Sequence, residues 1–290
     1  MSVSALEVKK LRAQTGAGMM DCKRALETAV GDFEKAVEIL REKGLASLTK
    51  RANRVTAEGL VAALVHEDGR RGVMVEIDCE TDFVAKGDVF ASLAADVADK
   101  IFAAETGQIE GPLGEEIYTL VENAAIEIRE KLAFRKAAYF ATDQGVVHAY
   151  LHKTGGWARK GVLIELAGDL DVETLQKLGH ELALHVQFAC PDYLTAEEVP
   201  EEVLESERRL AQAKALNDGK PEKIIPRIVE GAVQKYLKER VLTRQFFVKD
   251  DKKTVEKWLA QESGGKASIV RYSRFEVGQE TGQIDNGAVV

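Results

Sequence analysis

Cysteine is scarce in this chain of 290 residues, and the three present lie far apart. Cys22, Cys79 and Cys190 make an odd set with no CxxC pair, which excludes zinc-ligand spacing and argues against a disulfide framework. A reducing cytosol suits such thiols best. No apolar run reaches membrane-spanning length, so no membrane partner is expected. Residues 1–7 lack the charged-then-apolar pattern of a secretory signal, and the expectation is that the helical pattern starts without a cleaved targeting segment.

The residue patterns of common chemistry are missing too. There is no GxxxxGK[ST] phosphate loop. Gly16-x-Gly18-x-x-Asp21 is half a dinucleotide fingerprint, but it lies between helices and lacks the third glycine and a preceding strand. Gly69-Arg70-Arg71-Gly72 has the spacing of an RNA-clamping KH loop, yet it joins strands instead of helices. His148 and His152 could share a strand face, whereas His180 and His185 are five apart on a helix. Neither pair has a cysteine or carboxylate at ligand spacing, so no metal and no cofactor is expected. No Ser-His-Asp or Cys-His order stands out. The chain reads as a binder and not as an enzyme.

What is present is a composition able to bury a core and stay solvated, 45% hydrophobic and 30% charged. The net charge of −8 is uneven. Residues 1–55 carry 11 Lys and Arg against 7 Asp and Glu, and the remainder carries 29 against 41. A basic head on an acidic body points to an acidic partner for the head; a merely solvated surface is the plainer reading. The acidic total argues against general nucleic-acid affinity, which needs phosphate neutralisation.

Apolar spacing divides the chain. Three short helices are expected over residues 3–12, 19–29 and 33–42, with a Gly pair breaking the first two, Asp32 capping the third and Gly44 ending it. Such a module is most like the ubiquitin-associated (UBA-like) type, and with the basic linker 45–55 it forms a head, 1–55. The middle holds an internal repeat. Gly59-Leu-Val-Ala-Ala-Leu-Val-His66 matches Gly145-Val-Val-His-Ala-Tyr-Leu-His152, and Gly72-Val-Met-Val-Glu-Ile77 matches Gly161-Val-Leu-Ile-Glu-Leu166. Each copy reads strand, turn, strand, helix, with helical patterns over 89–101 and 175–186 and another stretch over 117–134 in the first. The expected fold class is therefore α+β: a three-helix UBA-like head, a two-copy core with antiparallel sheets (56–144, then 145–199 with 241–278), an inserted antiparallel helical hairpin (200–240), and a tail (279–290). The hairpin turns at Asn217-Asp218-Gly219-Lys220-Pro221, and Pro226 should delay or kink its second helix. Strand-like runs return at 245–248 and 269–277.

The stretch Thr81-Asp82-Phe83-Val84-Ala85-Lys86 joins a strand pattern to a helix pattern. Three readings compete. In the first, Thr81 or Asp82 caps the helix and Phe83 staples its entry to the core. In the second, Asp78, Glu80 and Asp82 alternate as in a calcium loop, but the sixth position is Phe83 and the twelfth Val89, where Gly and Glu are needed. In the third, Phe83 is an anchor for another protein. Residue types alone put capping first.

Several blocks resemble the elongation factor Ts family: Leu11-Arg12-Ala13-Gln14-Thr15-Gly16-Ala17-Gly18-Met19-Met20-Asp21-Cys22-Lys23, Gly31-Asp32-Phe33, Cys79-Glu80-Thr81-Asp82-Phe83-Val84-Ala85 and Arg274-Phe275-Glu276-Val277-Gly278. That family is the guanine-nucleotide exchange factor of translation elongation factor Tu in the bacterial cytoplasm. The resemblance implies that Thr81, Asp82, Phe83 and Val84 form the element that enters the partner's GTPase domain and disturbs its magnesium site. It implies that Arg12, Met19 and Met20 dock the head on the same domain. It also implies weaker contacts at Lys160 and Gly161, on the second hairpin, and at His185. Two departures bear on those last positions: Lys160 is charged where some relatives are apolar, and Val186-Gln187-Phe188-Ala189-Cys190 replaces small residues. The tail lacks a final helix that some members dock on the partner. Elongation factor Tu, bound to GDP or free of nucleotide, is thus the implied partner, and the hairpin could contact it or pair with a second copy of this chain. The rival reading is an RNA-binding or adaptor protein that uses the basic head.

Overall fold

The computed structural model describes residues 3–15 and 17–279. Three helices come first, α1 (Ala5–Thr15), α2 (Met19–Thr28) and α3 (Phe33–Arg51). They enclose a small core of Val8, Leu11, Cys22, Ala25, Leu26, Ala29, Ala36 and Leu40. Asp32 caps α3 by accepting from Lys35 N. Leu6, on the same helix as Val8 and Leu11, is 79% exposed. The third helix does not stop at Gly44. It runs about two turns further, to Arg51, and Gly44 is buried at a helix crossing where a Cβ would lie 2.9 Å from Ile126. A glycine that reads as a terminator is here a close-approach residue. The basic stretch 45–55 is helical as far as Arg51, where α3 ends.

The first half of the core is β1 (Glu58–Val65), β2 (Arg71–Cys79), α4 (Asp82–Ala85), α5 (Asp88–Ala104), α6 (Gly111–Ile128) and β3 (Ala133–Ala141). The second is β4 (Gly145–Thr154), β5 (Trp157–Gly168) and α7 (Val172–Ala189), then the hairpin α8 (Glu201–Asn217) and α9 (Ile225–Arg240), then β6 (Phe246–Phe247), β7 (Asp250–Thr254), α10 (Val255–Glu262) and β8 (Ala267–Glu276). The two main sheets are antiparallel with orders β1-β2-β3 and β4-β5-β8. This is the expected α+β class. The helical stretch expected over 117–134 starts earlier and stops at Ile128, because Ala133–Ala141 is a strand. Its Ala, Lys and Arg favour a helix locally, but pairing with β2 overrides that preference. Pro226 sits in the first turn of α9, where its missing N–H costs nothing.

The repeat is visible in the hydrogen-bond register. Both central strands carry an irregularity after a glutamate, between Glu76 and Ile77 in one sheet and between Glu165 and Leu166 in the other. Alternation sends Val73, Val75 and Ile77 toward α5 and α6, and Val162, Ile164 and Leu166 toward α7. The opposite faces meet: Val61, Met74, Ala138 and Phe140 pack on Val147, Leu163, Phe275 and Val277. Lys136 lies 4.5 Å over the Phe275 ring, and Arg271 lies 4.3 Å over the Phe140 ring. Phe140 pairs with Gly72 and Phe275 with Gly161, so each sheet presents the same ring to a cation of the other.

The hairpin stands on a small cluster in which Tyr193, Val199 and Val241 are packed by Val203, Leu204, Tyr236 and Leu237. Arg240 O accepts from Asp192 N at 2.8 Å and Tyr193 N at 3.1 Å, closing the base. Above that base the two helices bury chiefly one another. Replacing residues 206–234 by a short Gly/Ser linker should leave the core's melting temperature within about 3 °C of the parent, whereas removing 200–240 should lower it further by uncovering the basal cluster. Differential scanning calorimetry separates the two.

Candidate partner-binding site

β2 delivers a buried end, Cys79, to the turn that follows. Burial pushes the Cys79 thiol up to about 12, so it is an inert donor, and its Sγ bonds Thr81 O at 3.2 Å. Thr81 then caps α4, its hydroxyl accepting from Val84 N. Val84 packs partly on the first-half core and Ala85 is buried. Phe83 is 84% exposed, the most exposed large apolar side chain among the described residues. The capping part of the simplest sequence reading thus holds through Thr81, while the staple part does not: Phe83 does not enter the core.

Asp82 is fixed beside it by an i,i+4 ion pair with Lys86 at 2.5 Å, which holds the carboxyl below its usual range and keeps it charged. The Lys86 ammonium also lies 4.6 Å over the Trp157 ring, at the start of β5. The two-residue turn between β4 and β5, Gly155-Gly156, has positive φ at both positions, as a tight hairpin demands. That hairpin therefore reaches across to the Phe83 turn. One anion, one free ring and one flanking cation stand together on a rigid edge.

A four-residue helix cannot persist alone, because nucleation costs more than so few hydrogen bonds return. Its support comes from the loop after α6. Glu130 Oε2 accepts from Glu80 N at 3.1 Å and Thr81 N at 3.0 Å, and Oε1 accepts from the Thr81 hydroxyl at 2.6 Å. Sequence reasoning missed Glu130. It lies 49 residues from Thr81, and a lone loop glutamate carries no signal of such a role.

Asp78 is fully buried one residue before Cys79, with the Arg135 guanidinium 2.9 Å from Oδ2 in an ion pair that lacks hydrogen-bond alignment. Burial raises its pKa to about 6, against the attraction of Arg135, Lys136 and Arg159. The folded state therefore binds this proton more tightly than the unfolded chain does. Stability from this group is present below the unfolded value and is lost as pH rises through about 6. Asp78→Asn removes the term. Relative to the parent, the variant should gain roughly 1 kcal/mol between pH 5 and pH 8 in urea titrations. An equal difference at both pH values would contradict this.

The head presents Arg12 in the open, with Met19 50% and Met20 62% exposed at the start of α2. Asp21, next to them, takes Lys43 at 2.6 Å, Arg24 at 2.8 Å and Arg129 at 3.1 Å. An open cleft of about 670 Å³ runs between the head and helices α5 and α6, with Thr15, Leu40, Val89, Leu93, Asn123 and Ile126 on its walls.

The three weaker positions are placed differently from one another. Lys160 is part-exposed and paired with Glu276 at 2.7 Å. Gly161 is buried where the sheets meet, so it offers no surface of its own. His185 is 1% exposed. Its Nδ1 accepts from Val248 N at 3.1 Å and its Nε2 faces Gln245 Oε1 at 2.9 Å, and desolvation lowers its pKa, so the ring is neutral with its proton on Nε2. Gly161 is a packing glycine, and His185 anchors the β6 loop to α7. Among the described residues no three His, Cys, Asp or Glu side chains gather as a metal site, and no helix is long and apolar enough to cross a membrane.

The profile of the family described as Elongation factor TS matches residues 80–279, beginning at the turn that carries Phe83. The chain belongs to the elongation factor Ts family. It is 44% identical over 288 residues to elongation factor Ts of Symbiobacterium thermophilum (strain DSM 24528 / JCM 14929 / IAM 14863 / T), covering 96% of this chain and 92% of that one. It is 42% identical over 292 residues to elongation factor Ts of Aquifex aeolicus (strain VF5), covering 96% and 99%. It is 41% identical over 286 residues to elongation factor Ts of Clostridium botulinum (strain Eklund 17B / Type B), covering 96% and 93%. Membership in the elongation factor Ts family places the chain in protein biosynthesis, at translation elongation. The relatives' full-length coverage takes in the head as well as the core.

Proposed function

We propose that this chain binds translation elongation factor Tu carrying GDP and promotes release of the nucleotide, so that GTP can rebind. The single observation that carries the reading is Phe83, 84% exposed on a turn whose backbone is clamped. An exposed phenyl ring forgoes roughly 1.5–3 kcal/mol of burial, which a protein pocket can return. Asp82 and Phe83 enter the GTPase domain and disturb its magnesium and phosphate site, with Thr81 and Val84 holding their approach. Arg12, Met19 and Met20 dock the head, and flexible methionine suits such a surface. Lys160 makes a further contact, and Gly161 and His185 serve from inside. Leu210 and Leu216, both exposed on the hairpin, offer an additional surface to the partner or to a second copy. The activity belongs in the bacterial cytoplasm, a reading supported by the bacterial origin of the relatives.

The mechanism is linkage without covalent chemistry or a cofactor. The factor and GDP lower each other's affinity for the GTPase by the same ratio. Every 1.4 kcal/mol of contact made only in the nucleotide-free form weakens GDP binding about tenfold. The test is release of labelled GDP from elongation factor Tu, with and without this chain at substoichiometric amounts. Faster release with turnover supports the proposal; an unchanged rate contradicts it.

The rival reading, an RNA-binding or adaptor role for the basic head, is disfavoured by where its cations go. In the head, Arg24 and Lys43 are paired with Asp21 and Arg54 with Glu80, and the net charge of −8 leaves no general affinity for phosphate. The expected slope of RNA affinity against salt is therefore near zero, and a steep slope in filter binding would favour the rival.

A further inference from the structure

Arg129, Glu130 and Lys131 are consecutive, and their side chains go to three different elements. Arg129 ends α6 in the left-handed region, at φ 67°, and its guanidinium reaches Asp21 on α2, beside Met19 and Met20. Glu130 takes both backbone N–H groups of Glu80 and Thr81 and the Thr81 hydroxyl. The Lys131 ammonium donates to Ala52 O at 2.7 Å and Arg54 O at 2.9 Å, just past the end of α3. The grip is reciprocal: Glu80 Oε1 accepts from Lys131 N at 2.6 Å, and the Glu80 carboxylate is held by Arg54 at 3.0 Å. Head, Phe83 turn and α6 thus share one joint.

We infer that Glu130 is a positioning residue for nucleotide release, fixing the direction in which Phe83 projects relative to the docked head. The inference rests on the reading that Phe83 acts on the partner. Glu130 has the strongest hold in the joint, because a carboxylate accepting three donors makes charge-assisted bonds in a part-buried place. The Arg129 pair is more exposed and screened by salt. The Thr81 hydroxyl links this hold to the cap of α4: it gives its proton to Glu130 and accepts from Val84 N. Without Glu130 the short helix loses its outside support, and Phe83 samples many directions while the head's own surface stays intact.

The test is a cycle of four proteins, Glu130→Ala, Glu130→Gln, Phe83→Ala and the Glu130→Ala/Phe83→Ala double variant. Each is read by release of labelled GDP per folded molecule, at concentrations up to saturation. Glu130→Ala should lower the saturating rate about tenfold while shifting the half-saturating concentration less than about threefold. Glu130→Gln should recover to within about threefold of the parent, since an amide oxygen still accepts from the two N–H groups. The double variant should be no slower than Phe83→Ala alone, because Glu130 acts through that ring. Thr81→Val, which removes the bridging hydroxyl, is read in the same cycle if Glu130→Ala does not fold. A parental rate for Glu130→Ala beside a slow Phe83→Ala overturns the positioning role and leaves the proposed function standing. Losses that multiply in the double variant overturn it too. A parental rate for Phe83→Ala overturns the function reading itself.

Discussion

Phe83→Ala lowers stimulated GDP release well over tenfold at fixed concentration, while its melting temperature stays within about 2 °C of the parent. The two halves of this expectation have separate causes. Truncating an interface anchor typically costs roughly 2 kcal/mol or more of binding, which is more than tenfold. Truncating a ring that is already in water opens no cavity, and Phe83 is 84% exposed. Phe90, two residues into α5 and 1% exposed, supplies the contrast. Phe90→Ala should cost about 3–5 kcal/mol of stability and little exchange per folded molecule. Asp82→Ala should also slow release, with a small stability change, because its carboxylate and its partner Lys86 both stand in solvent. A melting temperature that collapses for Phe83→Ala with normal release per folded molecule would restore the staple reading.

The second large effect is on folding. Gly161→Val should destabilise the protein by about 1–3 kcal/mol or more, and Gly72→Val should do the same. A Cβ at Gly161 would lie 2.9 Å from Met74 Sδ and from Val61 Cγ1, and 3.0 Å from Leu151 Cδ2. A Cβ at Gly72 would lie 2.8 Å from Val147 Cγ1 and 3.3 Å from Leu163 Cδ1. Each glycine makes room for the residue that stands two places after the other: Leu163 against Gly72, Met74 against Gly161. The sheets therefore interlock through equivalent positions of the two repeats. Met74→Ala should offset part of the Gly161→Val loss and none of the Gly72→Val loss, as read by urea unfolding. Equal responses of the two glycine variants to Met74→Ala would contradict the interlock.

The repeat could be read in the sequence because it rests on local spacing, a glycine before each alternating run. The interlock could not, since it depends on which faces meet. Phe83 was visible as an aromatic at a junction, but its exposure is a tertiary fact: the same Thr-Asp-Phe order would suit a stapled helix. Gly44 misled for the reverse reason, because a glycine's local meaning is a stop and here its smallness admits Ile126. β3 was hidden by helix-favouring residues, and α10 by its length of eight residues. Gly161 and His185 entered through family resemblance, which transfers positions but not exposure. Glu130 had no signal at all, since a carboxylate that holds a distant backbone looks in sequence like any solvated charge.

The most direct measurement is the coupling between GDP and this chain on elongation factor Tu. Affinity of the chain for the GTPase is titrated calorimetrically with GDP absent and with GDP saturating, for the parent and for Phe83→Ala. For the parent the ratio of the two affinities should be large and should equal the factor by which the chain weakens GDP. For Phe83→Ala that ratio should fall at least about tenfold, while affinity for the GDP-bound form, made chiefly by the head, changes little. An unchanged ratio, with both affinities weakened equally, would mean that Phe83 only binds and does not drive release.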